Sequence, residues 1–184
     1  MKIASIFWCT GMSGAGKSTL AEHAKYELED QGFSILIIDG DTVRNNYNVK
    51  LGFGKDDIEK NNLNVAKLCN KERYNYDAVI IPIISPLNIV RRTIRKILSP
   101  GFYLIYIKAD IDSLKDRDTK GLYKKADEGN IHNLIGYSNS NPYEAPTNYD
   151  CLVNTSKFSD IKISKEIFTQ FVLKKMCKTS IHLD

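Results

Sequence analysis

Apolar residues along the chain fall into two alternating kinds of run. Short, β-prone runs recur at 3–9, 33–38, 78–84, 102–107 and 151–153, each reading as a strand buried on both faces. Pro82 cannot donate to a ladder and marks an irregular spot near the end of the third run. Between these runs the apolar spacing becomes helical. Leu20, Ala21, Ala24 and Leu28 form a stripe that stops at Gly32, a residue favoured just past a helix end. A second helix is predicted over 57–73, with Ile58, Val65, Ala66 and Cys69 inward. A third, opened by Ser85-Pro86, turns Ile89, Val90, Ile94 and Ile97 inward, and a last one from about Ser159 has a broad apolar face of Ile161, Ile163, Ile167, Phe168, Phe171 and Val172. Residues 118–146 are polar, charged and rich in turn formers, and read as a mobile flap rather than a core element. Strands alternating with helices predict an α/β fold with a mostly parallel five-stranded sheet, helices on both faces.

One stretch carries chemistry on its own. Gly11-Met12-Ser13-Gly14-Ala15-Gly16-Lys17-Ser18-Thr19 matches G-x-x-x-x-G-K-[ST], with a strand before it and a helix after it. Glycines let backbone N–H groups curl around phosphate oxygens, and the helix N-terminus adds its positive dipole end. Lys17 then reaches the β- and γ-phosphates, and the Ser18 hydroxyl takes one Mg²⁺ position. The bland alternative is a glycine-rich turn before a lysine.

Composition narrows the class. At 184 residues, with 42% hydrophobic and 26% charged, the sequence reads as one globular domain over 1–184. Its longest apolar runs are far too short to span a bilayer, so no membrane partner is expected. Met1-Lys2-Ile3 leads straight into the first strand without a signal peptide. Cys9, Cys69, Cys151 and Cys177 lie far apart with no C-x-x-C pair, which suits a reducing cytoplasm. The net charge of +4 is mild and no arginine-rich arm is present, so small anionic ligands are expected and nucleic acid is not.

In parallel sheets ligands bind beyond the carboxyl ends of the strands. The first strand ends at the glycine loop, the second at Asp39-Gly40-Asp41 and the third at Ser85, facing one crevice. Asp39 suits a metal-bound water, and Asp41, further from the strand, suits the base that accepts a proton from an acceptor hydroxyl. The alternative is an Asp-Gly turn with Asp41 capping a short helix. No acid ends the third strand, which favours a small-molecule kinase over motor-type or GTP-hydrolysing proteins. Ser85 either touches the acceptor or the transferring phosphate, or caps the helix that Pro86 begins. Arg117, Lys120, Lys124 and Lys125 form a basic cluster that a closing lid could bring over a nucleotide.

Gly11 to Thr19, Asp39-Gly40-Asp41-x-x-Arg44, Leu51-Gly52-Phe53, Ile84-Ser85-Pro86, Lys120-Gly121-Leu122-Tyr123-Lys124-Lys125-Ala126 and Pro142-Tyr143-Glu144-Ala145-Pro146 occur in that order. Together they resemble adenylylsulfate kinases over roughly residues 3 to 155. The resemblance implies a three-layer P-loop kinase fold with a mobile lid, a homodimer, and Mg²⁺-dependent transfer from ATP to the 3′-hydroxyl of adenosine 5′-phosphosulfate (APS), in sulfate assimilation or sulfate-donor supply. It implies ATP contacts from the glycine loop, and from Arg117, Asn154 and Thr155 near the adenine. Acceptor contacts are implied for Arg44, Phe53, Asn61, Ile84, Ser85, Lys120, Gly121, Leu122 and the position of Leu134. In the family the serine matching Ser85 is described as a phosphoserine intermediate, although direct in-line transfer needs only one step. The departures fall on the acceptor side. Val49, Ile58 and Asn88 replace basic residues, Leu87 replaces an aromatic, and Leu134 stands where a second phenylalanine would stack on adenine. Two other readings are a related kinase acting on another nucleotide-linked phosphate derivative, and a nucleotide-binding module without turnover. The intact Lys17, Ser18, Asp39 and Asp41 argue against the latter.

Overall fold

The computed structural model describes residues 3–45, 52 and 54–179; Phe53 and Val49 lie outside this set. In chain order the elements are β1 (Ser5–Thr10), α1 (Lys17–Asp30), β2 (Ile35–Ile37), α2 (Gly40–Asn45), α3 (Lys55–Glu72), β3 (Ala78–Pro82), α4 (Asn88–Leu98), β4 (Phe102–Lys108), α5 (Ile111–Arg117), α6 (Leu122–Asp127), β5 (Cys151–Asn154) and α7 (Ile161–Thr179). The five strands form one sheet in the order β2-β3-β1-β4-β5, and every pairing is parallel. Cys9 of β1 sits between Pro82 of β3 and Ile105 of β4.

Strand alternation builds two cores. Phe7, Ile80 and Ile105 pack with Leu20, Leu28, Phe168 and Val172 from α1 and α7. Ile6, Trp8, Ile81 and Leu104 pack on the opposite face with Val65, Val90 and Ile94 from α3 and α4. All six residues of β1 are buried, as a central strand covered on both faces requires. The ends of β1, β2 and β3 open on one crevice, as expected.

Four expectations need correction. First, α4 begins at Asn88, with Leu87 in the N-cap position. Ser85 has a positive φ of 43°, so it does not cap that helix. Its inward stripe is Val90, Arg91, Ile94 and Leu98, while Ile89 and Ile97 lie about 100° to the side and are exposed. Second, α7 turns Ser164, Phe168, Val172 and Met176 inward at every fourth position, leaving Ile161, Ile163 and Ile167 exposed. Third, the segment 118–146 contributes to the core. Tyr123, Leu134 and Ile135 are buried, Tyr123 packs edge-on against Tyr137, and its hydroxyl donates to the Ser13 carbonyl at 2.8 Å. Fourth, β2 is only three residues long. Ser34 instead donates its N–H and hydroxyl to the Asp77 carboxylate at 2.8 and 3.0 Å. Helices α5 and α6 were not anticipated as elements. Among the described residues no helix is long and apolar enough to cross a membrane.

Candidate active site

The glycine loop turns between β1 and α1 because its glycines tolerate what other residues do not. A Cβ at Gly11 would lie 2.4 Å from the backbone oxygen of Ile107. Gly14 and Gly16 have φ of 75° and 86°, the left-handed region that side chains disfavour. Gly16 takes the N-cap position of α1 without a side-chain cap, so the first-turn N–H groups have no partner within the helix and suit anionic oxygen. Ala15 is buried, and its N–H donates to the Met12 carbonyl at 3.2 Å. Lys17 is half-buried and donates to that same carbonyl at 2.8 Å. Loss of water around its ammonium pulls its pKa down to about 8, against the opposing pull of Asp41 and Asp39. The loop borders a cavity of about 500 Å³ that also exposes Ser18, Thr19, Asp39, Asp41 and Ile84.

Asp39 and Asp41 divide their tasks. Asp39 Oδ1 accepts from the N–H groups of Asp41 and Thr42 at 2.9 and 3.0 Å, so Asp39, not Asp41, caps the short helix α2. Its other oxygen accepts from Ser18 Oγ at 3.5 Å. Those two hard oxygens at the loop suit Mg²⁺, which takes one or two protein ligands plus phosphate oxygens and water. Asp41 is left free to face Lys120, whose ammonium lies 2.9 Å from its Oδ2. Gly40 is required between them, because a Cβ there would lie 2.6 Å from Ile83 Cγ1. Asn61 is buried beneath and donates to the Gly40 carbonyl at 3.3 Å.

On the far side, Asp110 caps α5 by accepting from Ser113 N–H at 2.8 Å. That bond and the hydroxyls of Ser156 and Ser113 hold its carboxyl down near pKa 2. The helix carries Arg117 to the carbonyls of Thr155 and Gly14, and Thr155 Oγ1 donates to the Ala15 carbonyl at 2.9 Å. Gly16, Thr19, Arg117 and Thr155 line a second cavity of about 420 Å³ that continues from the first. Asn154 stands beside it, its side chain accepting from Ser156 N–H at 3.1 Å.

A third cavity, about 460 Å³, shares Ser13, Asp41, Ile84 and Lys120 with the first, and adds Arg44, Leu122 and Leu134. Two compartments therefore meet at Asp41, Lys120 and Ile84. Gly121, at φ 63°, starts α6 and separates Lys120 at the junction from Leu122 in the wall. Arg44 also donates to the Gly52 carbonyl. Lys124 and Lys125 are exposed and line neither compartment. Ser85 stands behind Ile84: it is 1% exposed, and its hydroxyl has no hydrogen-bond partner among the described residues.

This geometry can bind a polyphosphate at the loop, hold a second small molecule next to it, and place a carboxylate and an ammonium between them. The sequence profile described as adenylylsulphate kinase matches residues 3–154. The chain belongs to this family. It is 36% identical over 171 residues to an adenylyl-sulfate kinase of Bacillus pumilus, covering 92% of this chain and 85% of that one. With one from Halothermothrix orenii it shares 40% over 153 residues, covering 82% and 80%. A solved Mycobacterium tuberculosis APS kinase in complex with AMPPNP and APS superposes with a TM-score of 0.80 at 27% identity, covering 95% of this chain and 99% of that one. Two of the positions that the resemblance singles out on the acceptor side have defined surroundings in the fold. Ile58 is buried. Asn88 is engaged, its side chain accepting from Arg91 and its N–H donating to Glu144 Oε2. Sequence reasoning assigned no place to Arg91, Tyr143 and Glu144 as a unit; a lone arginine in the inward phase of α4 was the signal for it.

Proposed function

We propose that this kinase transfers the γ-phosphoryl group of ATP to the 3′-hydroxyl of APS, giving 3′-phosphoadenosine 5′-phosphosulfate. The observation that carries this reading is the meeting of two compartments at Asp41 and Lys120. ATP lies with its phosphates on the glycine loop and its adenosine toward Arg117 and Thr155. The acceptor lies between Arg44 and Leu134, with its hydroxyl at Asp41. Asp41 accepts the hydroxyl proton as the oxygen attacks in line, while Lys17 and Lys120 neutralise charge on the equatorial oxygens. Bound at Ser18 and Asp39, Mg²⁺ would supply further neutralisation of the phosphates. Because Ser85 is buried behind Ile84, direct transfer is favoured over a phosphoserine step.

We further infer one domain over 1–184 from length and composition, a cytoplasmic setting from the scattered cysteines, and a homodimer from the resemblance drawn from the sequence. Within 118–146 the moving part of a lid would be the stretch around Lys120, since Tyr123 and Leu134 are anchored in the core. The replaced acceptor-side residues support a second reading, in which another nucleotide-linked phosphate derivative is the acceptor. Steady-state ADP release at saturating Mg·ATP separates the two. Turnover dependent on APS, with the product phosphorylated at the 3′ position, is the expected outcome. Inactivity with APS beside robust turnover of a different nucleotide derivative would replace it.

A further inference from the structure

Behind the acceptor compartment lies an assembly that touches neither substrate cavity. Arg91 of α4 is 3% exposed. Its Nη1 donates to the Ser85 carbonyl at 2.5 Å, and its Nη2 donates to Asn88 Oδ1 and the Glu144 carbonyl, each at 2.5 Å. Glu144 returns the contact twice. Its Oε2 accepts from Asn88 N–H at 2.7 Å, and its own N–H donates to the Pro86 carbonyl at 2.9 Å. The Arg91 guanidinium stands 5.7 Å from the ring centre of Tyr143, whose hydroxyl meets Thr10 Oγ1 at 3.0 Å. Thr10 in turn donates to the Ile84 carbonyl at 2.5 Å.

The carbonyls of three consecutive residues, Ile84, Ser85 and Pro86, are therefore each held by a side chain or backbone group outside that turn. Between them Ser85 is kept at φ 43°, a conformation costly for a residue with a Cβ. Such strain persists only where the surroundings over-determine it. Arg91 itself holds the Ser85 carbonyl, Asn88 Oδ1 and the Glu144 carbonyl, three oxygens that a planar guanidinium with five donors can reach at once. What the turn delivers is the Ile84 side chain, which lines both compartments where they meet.

We propose that Arg91, with Tyr143 and Glu144, is a positioning assembly for the acceptor. It holds the Ile84–Ser85 turn in its left-handed form and thereby fixes the acceptor wall without contacting either substrate. ATP binding is spared because its phosphates are held independently by the glycine loop and Lys17. This inference rests on the acceptor compartment assigned above. It also makes the Pro142-Tyr143-Glu144 stretch a fixed anchor for the end of the 118–146 segment.

The test uses Arg91→Lys and Tyr143→Phe in the full chain, with two readouts. In kinetics, the KM for APS should rise about tenfold in Arg91→Lys, short of the roughly hundredfold that a misplacement of ~1 Å can cost. It should rise less in Tyr143→Phe, and the KM for ATP should stay unchanged in both. In amide hydrogen exchange, residues 83–88 and 142–146 should lose protection while the glycine loop keeps it. Parallel rises in both KM values, or a lowered melting temperature with the APS KM unchanged, would overturn the proposal. So would unaltered exchange at 83–88. If Arg91→Lys does not fold, Tyr143→Phe decides by the same criteria. If the wild-type protein does not phosphorylate APS, the functional reading falls, while the exchange data still decide whether the assembly holds the turn.

Discussion

The Lys120 ammonium lies 2.9 Å from the Asp41 carboxylate, tying the segment before α6 to the start of α2 across the mouth of the active site. Both side chains are about 60% exposed or more, and exposed ion pairs are worth only about 0–1 kcal/mol. Stability therefore gives no reason for the pair. Its position, where two compartments meet, does.

Lys120→Ala should leave the fold almost untouched, since a loss of about 1 kcal/mol moves the melting temperature of a chain this size by only roughly 2–4 °C. Turnover should fall much further. Removing one preorganised donor from a developing charge costs on the order of 10²–10³ in kcat. Thermal melts beside steady-state rates check both halves. A large loss of stability with turnover intact would make the pair structural.

Asp41 should be needed for chemistry more than for nucleotide binding. Asp39 carries the capping of α2 through its bonds to Asp41 N–H and Thr42 N–H, so Asp41→Asn keeps the helix and loses the base together with the exposed charge pair to Lys120. General-base losses are of order 10²–10⁴ in rate, and kcat should fall by about that factor while ATP affinity changes little. A parallel loss of ATP affinity would move Asp41 to a metal or structural role.

These roles were legible in the sequence to different depths, for physical reasons. The glycine loop could be read because its requirement is local: Gly14 and Gly16 need positive φ and Gly11 needs space beside Ile107. The Asp39-Gly40-Asp41 turn was legible as a site but not in its division of labour, which depends on which carboxylate bends back onto α2. Ser85-Pro86 misled because the start of α4 is capped by Glu144, 56 positions away in sequence. No neighbouring residue announces that. Tyr123 and Leu134 belong to a stretch that is polar and charged for most of its length, with Leu122 and Ile135 as their only immediate apolar neighbours, and they become core by joining the cluster with residues of α1, β1 and α5. Helix α5 is seven residues long, too short for an apolar period to stand out. Its one local sign was Asp110, three positions before Ser113.

Lys17 gives a dependence on pH. With its pKa drawn down to about 8 by desolvation, the free protein loses this charge as pH rises through 8. Phosphate oxygens favour the charged form and push the pKa back up in the complex. Below pH 8 the charge is already present and ATP affinity should be flat. Above it, binding must take up a proton, and the Kd should weaken by up to about tenfold per pH unit. Calorimetry in buffers of different ionisation enthalpy should show proton uptake at pH 8.5 and almost none at pH 7. Equal proton uptake at both would show that Lys17 keeps its charge throughout.

Leu134 offers the sharpest probe of the acceptor. It lines the compartment with Leu122 and Ile131 and is also buried in the core, so it answers to two demands at once. An aromatic ring here could stack on a base, which is worth roughly 1–3 kcal/mol on single-stranded nucleic-acid sites. A larger side chain in a packed position costs a similar ~1–3 kcal/mol of stability. The cavity of about 460 Å³ on one side of Leu134 gives the ring somewhere to go, which puts the stability cost at the lower end. Leu134→Phe should therefore lower the KM for APS several-fold, with a small drop in melting temperature and the KM for ATP unchanged. Titrating APS at saturating Mg·ATP, wild type beside variant, reads the effect directly. A weaker APS KM in Leu134→Phe, with the fold intact, would mean that the base does not lie against this wall.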